Sequence, residues 1–412
     1  MRLGSMAMSR RSLAAKHAIV VALLIVLTGA GGTATAAGLS PGHVYTMTND
    51  PAGNAVVVFN RAADGTLTKF GTFPTGGTSI GVFATGNQNG LLLDEDSRCL
   101  WAVNSLDNEI TAFRVMDDSL SFINKVGSGG RRPISLTEHK DLLYVLNAGG
   151  QVGSTDNITG FTVDHGCGLS PLAGSTRSLS APSTSPAQVG FTPSGRVLVV
   201  TEKVTNKITT YTVGEDGRPS GPMPQASAGP EPFGFTFINR GQLFVTEAAC
   251  SVPRPPGNLP TCVVPPDQPA LSSYEVADDG TLTLIDTSVD NQAAKCWVVA
   301  TNSQRFAYTV NALAVQAGGL GSITGYRIDP DGDLTKLGST PIPAAPLGVP
   351  IDAALSNDSR FLYVLHEADG IISAYRVEAD GGLVPLTPPS FAITAPPPLL
   401  TNGPFPNGLA VR

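Results

Sequence analysis

Residues 305–338 read RFAYTVN, then ALAVQAGGLG, then SITGYRIDPDGDLTKLG. Two runs of alternating apolar and polar residues are separated by a Gly-rich break, and the second leads through Asp331-Gly332 into a third run. A period of two is the pattern of a half-buried antiparallel strand. Asp-Gly between such runs is the strongest short hairpin signal. The unit occurs seven times. Its first run recurs as Val44-Tyr45-Thr46-Met47, Leu100-Trp101-Ala102-Val103, Leu143-Tyr144-Val145-Leu146, Leu198-Val199-Val200-Thr201, Leu243-Phe244-Val245-Thr246 and Leu362-Tyr363-Val364-Leu365. The turn recurs as Asp64-Gly65, Asp216-Gly217, Asp279-Gly280 and Asp380-Gly381. From Tyr45 to Tyr363 the mean period is about 53 residues, in the range of a repeat built from a few strands.

A further strand precedes each unit, often led by proline, as in Pro186-Ala187-Gln188-Val189, Pro232-Phe233-Gly234-Phe235 and Pro350-Ile351-Asp352-Ala353. Four antiparallel strands repeated at this length predict an all-β fold, a seven-bladed β-propeller with four-stranded antiparallel blades. No blade can bury both its faces alone, so the set must close into a ring. The first unit begins at its second strand, His43-Val44-Tyr45, and the chain ends on Asn407-Gly408-Leu409-Ala410-Val411. The C-terminal strand is therefore expected to complete blade one and close the ring, removing exposed sheet edges. Residues 37–412 are read as one domain.

Residues 1–36 are read separately. Arg2, Arg10, Arg11 and Lys16 precede an apolar run, Ala18 to Leu27, and small residues end at Ala34-Thr35-Ala36. That order is a signal peptide cleaved after Ala36, with Ser9-Arg10-Arg11-Ser12-Leu13 compatible with either the twin-arginine or the general secretory route. The expected location is secreted or periplasmic. The formal net charge is −7, and loss of those four basic residues makes it more negative still. Nucleic-acid binding lacks its electrostatic footprint, and no later segment is apolar enough to span a bilayer. A monomer is expected.

The five cysteines are Cys99, Cys167, Cys250, Cys262 and Cys296. Cys250 and Cys262 bracket a Pro-rich stretch and are the favoured disulfide, with Cys296 competing for either. No Cys/His cluster has zinc spacing, so neither metal nor cofactor is predicted. Gly77-Thr78-Ser79-Ile80-Gly81 has nucleophile-elbow spacing, but an elbow needs a strand followed by a helix, and this chain is all-β.

The blade texture, LYVLN…ITGFTVD…GLSPL and RFAYTVN…SITGYRIDPDGDLTKLG, resembles the seven-bladed lactonase propellers, a group including 6-phosphogluconolactonase-like and carboxymuconate-cyclase-like members and overlapping the YVTN-repeat proteins. The resemblance covers residues 43–412 and implies a hydrolase that opens a cyclic ester. It implies a pocket carboxylate at Glu247 and a basic residue at Lys207. Gln188 and Gly234 stand where a channel-facing histidine is expected, and Ala312 where an arginine is.

Repeat symmetry supplies a second set of candidates. Three residues after each anchor come Asn104, Asn147, Glu202, Glu247, Asn311 and His366, with Thr48 and Asn49 in blade one. They are expected to form a polar ring at one face, where carboxylates and an imidazole could do acid–base work on an ester. The candidate catalytic residues are Glu247, His366 and Glu202; the candidate substrate-binding residues are Lys207, Gln188, Asn104, Asn147 and Asn311. The alternative is that these side chains cap strand ends and satisfy loop amides. In that case the protein is a non-catalytic propeller that binds a small molecule or partner protein through the same face.

Overall fold

The computed structural model describes residues 41–81, 88–117, 119–238, 240–249, 269–313, 321–342, 349–393 and 404–412. They form seven antiparallel sheets. Blade one consists of Gly42–Met47, Ala55–Arg61 and Leu67–Pro74, with Asn407–Val411 on the inner edge. Val44 faces Val411, Tyr45 faces Ala410 and Thr46 faces Leu409. The backbones of His43 and Arg412 exchange two hydrogen bonds, at 2.9 and 3.2 Å. The C-terminal strand thus closes the ring as the sequence predicts.

Blades two to seven begin with the inner strands Leu91–Leu93, Pro133–His139, Pro186–Phe191, Pro232–Phe237, Ala293–Ala300 and Pro350–Leu355. These strands and Asn407–Val411 touch in a closed circuit around the axis. Blade three departs slightly from the pattern, because its outer edge is split into Leu169–Pro171 and Arg177–Ser178. The alternating order gives the ring two faces. On the upper face, second strands pass into third strands and each outer strand leads to the next blade. On the lower face, inner strands turn into second strands.

The core lies between neighbouring sheets. Ile134, Tyr144 and Leu146 of blade three pack with Val189, Leu198 and Val200 of blade four. Val197 and Val199 of blade four meet Phe235, Leu243 and Tyr274 of blade five. Each buried aromatic or aliphatic side chain contributes roughly 1.5–3 kcal/mol, and that contribution depends on the adjacent blade.

The repeat residues also lock blade to blade. Tyr144, Tyr308 and Tyr363 donate their hydroxyls to the carbonyls of Gly217, Gly381 and Gly65, at 2.7, 3.0 and 2.7 Å, each in the Asp-Gly turn of the next blade. Gly65 sits at φ +88° with Phe361 where a Cβ would be, so the turn and the close approach both require glycine. Between blades two and three the device differs. Trp101 Nε1 donates to Cys167 O at 3.2 Å, and Cys99 and Cys167 form a disulfide. This bridge was not among the pairings expected from spacing. Cys250 and Cys262 lie outside the described residues.

Candidate functional site

In blades two to seven a residue at or near the end of the second strand pairs with the first of the third: Asn104 with Glu109, Asn147 with Asn157, Glu202 with Lys207, Glu247 with Ala270, Asn311 with Ser322, and His366 with Ile371. The six predicted positions therefore do occupy equivalent places at the upper face. All six are fully buried, and each is held by a hydroxyl two residues into the third strand or by a neighbouring amide. Asn104 Nδ2 donates to Thr111 Oγ1 at 2.9 Å. Thr209 Oγ1 donates to Glu202 Oε1 at 2.7 Å, and Ser272 Oγ to Glu247 Oε2 at 2.9 Å. Asn311 Nδ2 donates to Thr324 Oγ1 at 2.9 Å, and His366 Nε2 lies 2.8 Å from Ser373 Oγ. Asn147 Nδ2 donates to Asn157 Oδ1 at 3.0 Å. Repetition of this contact with amide, acid and imidazole alike identifies a clasp between second and third strands.

Burial shifts two of the titratable members, Glu247 and His366. Burial raises the Glu247 carboxyl to about 7, against the opposing hydrogen bonds of Ser272, Ser227, the Gly229 backbone and Tyr274. Ser227 Oγ lies 3.3 Å from its Oε1. Glu202 is more fully satisfied: Ser180 N donates at 3.1 Å, Thr205 Oγ1 at 2.8 Å, and the Ser180 hydroxyl bonds it as well. Burial lowers His366 to about 3, so its imidazole is neutral across the physiological range and weakly basic. Its Nδ1 has no partner.

A second polar cluster escaped the sequence reading. Lys295 of the blade-six inner strand is fully buried, and its Nζ donates to Asp290 Oδ2 at 3.0 Å, Thr309 Oγ1 at 3.1 Å, Asn311 Oδ1 at 3.2 Å and Tyr326 OH at 3.0 Å. Burial lowers Lys295, and the charges of Asp290 and, more weakly, Glu247 act in the opposite sense. Glu247 also raises Tyr326. The carboxyl of blade five and the ammonium of blade six therefore act on one another. The available signal was an interruption in the repeat. The residue facing the second-strand end is Pro133, Pro186, Pro232 or Pro350 in four blades, but Lys295 faces Asn311 in blade six.

The remaining predicted residues are spread apart. Gln188 bridges two inner strands, accepting from Phe235 N at 2.6 Å and donating to Phe235 O at 2.9 Å. Lys207 is half-buried at the turn after Glu202. No hydrogen bond among the described residues links Glu202, Glu247 and His366. A cavity of about 770 Å³ fills the lower part of the central channel. Of the predicted set only Gln188 lines it. Gln88, another lining residue, reaches between blades: Gln88 N lies 3.4 Å from Ala187 O of blade four, and its Nε2 donates to Val298 O of blade six at 3.2 Å. The Gln88 amide passes over Gly234 of blade five, where a Cβ would collide with it.

The family model described as Lactonase, 7-bladed beta-propeller, matches residues 42–182 and 264–398. The unmatched stretch between them is blade four and the start of blade five, which hold Gln188, Glu202, Lys207 and Glu247. The structure resembles a periplasmic gluconolactonase of Pseudomonas aeruginosa, PpgL, at TM-score 0.65 and 16% identity over 90% of this chain and 99% of that one. It resembles a candidate 6-phosphogluconolactonase of Bacteroides fragilis at TM-score 0.64 and 17% identity, over 90% and 98% of the two chains. A Lactobacillus plantarum protein gives TM-score 0.65 and 16% identity over 90% and 100%. No curated protein matches the sequence. At these identities the solved structures speak for the fold alone, whereas the family model spans well over half of the sequence. On that match the chain belongs to the lactonase family of seven-bladed β-propellers.

Proposed function

We propose that this protein is a secreted lactonase-type hydrolase whose proton transfers are carried by Glu247 at the upper face. The observation that supports this reading is the Glu247 carboxyl, brought to about 7 by burial among hydroxyls. A group that titrates near the operating pH is best suited to take and return a proton. In the proposed step Glu247 accepts a proton from water as the water oxygen bonds to the lactone carbonyl carbon. The ring C–O bond then breaks, and the alkoxide takes that proton back. The cation of Lys207, at the adjoining blade's turn, steadies the oxyanion. Asn104, Asn147 and Asn311 complete the polar ring that frames the substrate, and His366 and Glu202 contribute polarity. Export follows from the signal-like order of residues 1–36, which lie outside the described residues.

A second reading rests on the clasp itself. Asparagine fills the Glu247 place in three other blades, so the protein could use the same face to bind without chemistry. One experiment separates the two. Residues 37–412 and the Glu247→Gln variant are assayed on a panel of lactones from pH 5 to 9. The hydrolase reading expects turnover that rises with an apparent pKa near 7 and falls by about 100-fold or more in the variant, the usual contribution of a positioned base. Equal rates remove Glu247 from the mechanism, and no turnover across the panel leaves the binding reading.

A further inference from the structure

The turns that join second to third strands are the outermost points of the upper face. In blades two, three and four each of these turns exposes an aliphatic side chain: Leu106 at 52%, Val152 at 45% and Val204 at 69%. Val204 is the most exposed large apolar residue among those described. The three blades are neighbours in the ring, so the tips stand side by side. Polar residues separate them: Asn108 follows Leu106, Ser154 and Thr155 follow Val152, and Thr205 and Asn206 follow Val204. In blade seven the same turn is buried, at Ala368, Asp369 and Gly370.

Charge is matched differently on the two faces. Six of the eight ion pairs among the described residues lie on the lower face, such as Arg196–Asp278 and Arg376–Glu378, both at 2.7 Å. On the upper face of blades three and four, Arg131, Arg132 and Lys207 form no ion pair among the described residues. Arg131 is exposed and the other two are half-buried. The accessible carboxylates around the three turns are already engaged: Glu109 pairs with Lys125 at 2.6 Å, and the two oxygens of Asp107 accept from Thr78 N and Thr78 Oγ1, both at 2.7 Å. Glu231 adds one acid in the link to blade five. The lower-face carboxylates lie a second strand away, six residues or about 20 Å. That exceeds the Debye length of about 8 Å at physiological salt. This part of the upper face therefore presents unmatched positive charge, although the chain as a whole is negative.

Aliphatic tips among unmatched cations are complementary to a partner that is anionic at its surface and apolar beneath. Three separated tips do not make the continuous apolar centre of a protein–protein interface. A flat bilayer receives each tip separately. We propose that the upper face of blades two to four is a peripheral docking surface for an anionic phospholipid bilayer. Leu106, Val152 and Val204 enter the boundary between headgroups and acyl chains, while Arg131, Arg132 and Lys207 meet the lipid phosphates. The proposal is independent of the hydrolase reading, and its test does not use turnover.

Residues 37–412 are floated with vesicles of equal parts phosphatidylcholine and phosphatidylglycerol, and in parallel with vesicles of phosphatidylcholine alone. Expected is co-flotation with the mixed vesicles that weakens as salt rises, and about tenfold less with the neutral ones. Leu106 and Val204 are exposed, so the Leu106→Glu, Val204→Glu double variant keeps the fold, with thermal melting as the control. It should lower vesicle binding by about tenfold or more. Arg131→Gln should lower it about fivefold, the effect of one basic residue near an anionic surface. The Leu337→Glu, Val384→Glu double variant makes the same change on the exposed outer strands of blades six and seven and should bind as the parent does. The proposal is overturned by absence of flotation with the mixed vesicles, by equal binding to phosphatidylcholine alone, by unchanged binding in both upper-face variants, or by an equal loss in the outer-strand variant. Saturable binding of soluble polyglutamate without flotation also overturns it and assigns the face to an acidic protein.

Discussion

Asp352 shows how far a single side chain can be moved from its solution behaviour by its place in the ring. It lies two residues after Pro350 on the blade-seven inner strand. Its Oδ1 accepts from Ala353 N at 2.9 Å, the Leu409 backbone also donates to the carboxyl, and its Oδ2 has no partner. Burial raises it from 3.8 to about 8. The folded state thus holds a proton that the unfolded chain releases at lower pH. Stability from this group is complete below about pH 4 and is lost as pH rises through 8. Glu247 and Glu138, each raised to about 7, act in the same direction. Asp352→Asn keeps an acceptor and removes the ionisation. Thermal melting should show little change at pH 5 and a gain of roughly 2 kcal/mol at pH 9, with a flatter pH profile than the parent. At this scale the sequence was partly legible. Repeat register located Glu202, Glu247 and His366 at equivalent sites. It could not show that Glu202 is satisfied by four donors while Glu247 is held near neutrality, because Ser180, Ser227 and Tyr274 reach them from outside the repeat position.

At the scale of the element, the informative departures from the repeat are the ones that join blades. Blade three has no Asp-Gly turn; Asp164-His165-Gly166-Cys167 replaces it, with Cys167 at φ +78°. The disulfide from Cys167 to Cys99 spans 68 residues and fastens blades two and three where other junctions use tyrosine and glycine. Closing a loop of that length restricts the unfolded chain, so the Cys99→Ser, Cys167→Ser double variant should lose about 2–4 kcal/mol. The urea midpoint, compared with that of the disulfide-bonded parent under non-reducing conditions, measures it. Spacing pointed to Cys250 and Cys262 because they flank one obvious loop. Sequence distance carries no information about which turns face each other across a blade junction, and Cys99 and Cys167 meet only after two sheets have packed. The buried Lys295–Asp290 pair is a similar case: lysine in the proline position is visible in the sequence, but its four partners come from two other strands and a loop.

At the scale of the whole molecule, ring closure is the step on which every blade depends. The five residues Asn407–Val411 form the inner edge of blade one and touch the inner strands of blades seven and two. Deleting Asn407–Arg412 should expose the edge at Val44–Met47 and unseat Asp352 from Leu409. The truncated chain is expected to be cleaved rapidly in limited proteolysis and to elute as aggregate. Retention of a compact, protease-resistant monomer would show that the ring holds without its clasp. The strand count, the hairpin turns, the seven-fold repeat and the joining of the two chain ends were all determined by the sequence alone, since period and turn chemistry are local properties that survive in one dimension. Only the tertiary structure decided which polar residues are spent on clasps, that Gln88 reaches between blades four and six, and that Lys295 is buried against Asp290. Those outcomes depend on groups from different blades meeting in three dimensions, where burial and unmet hydrogen bonds set the chemistry.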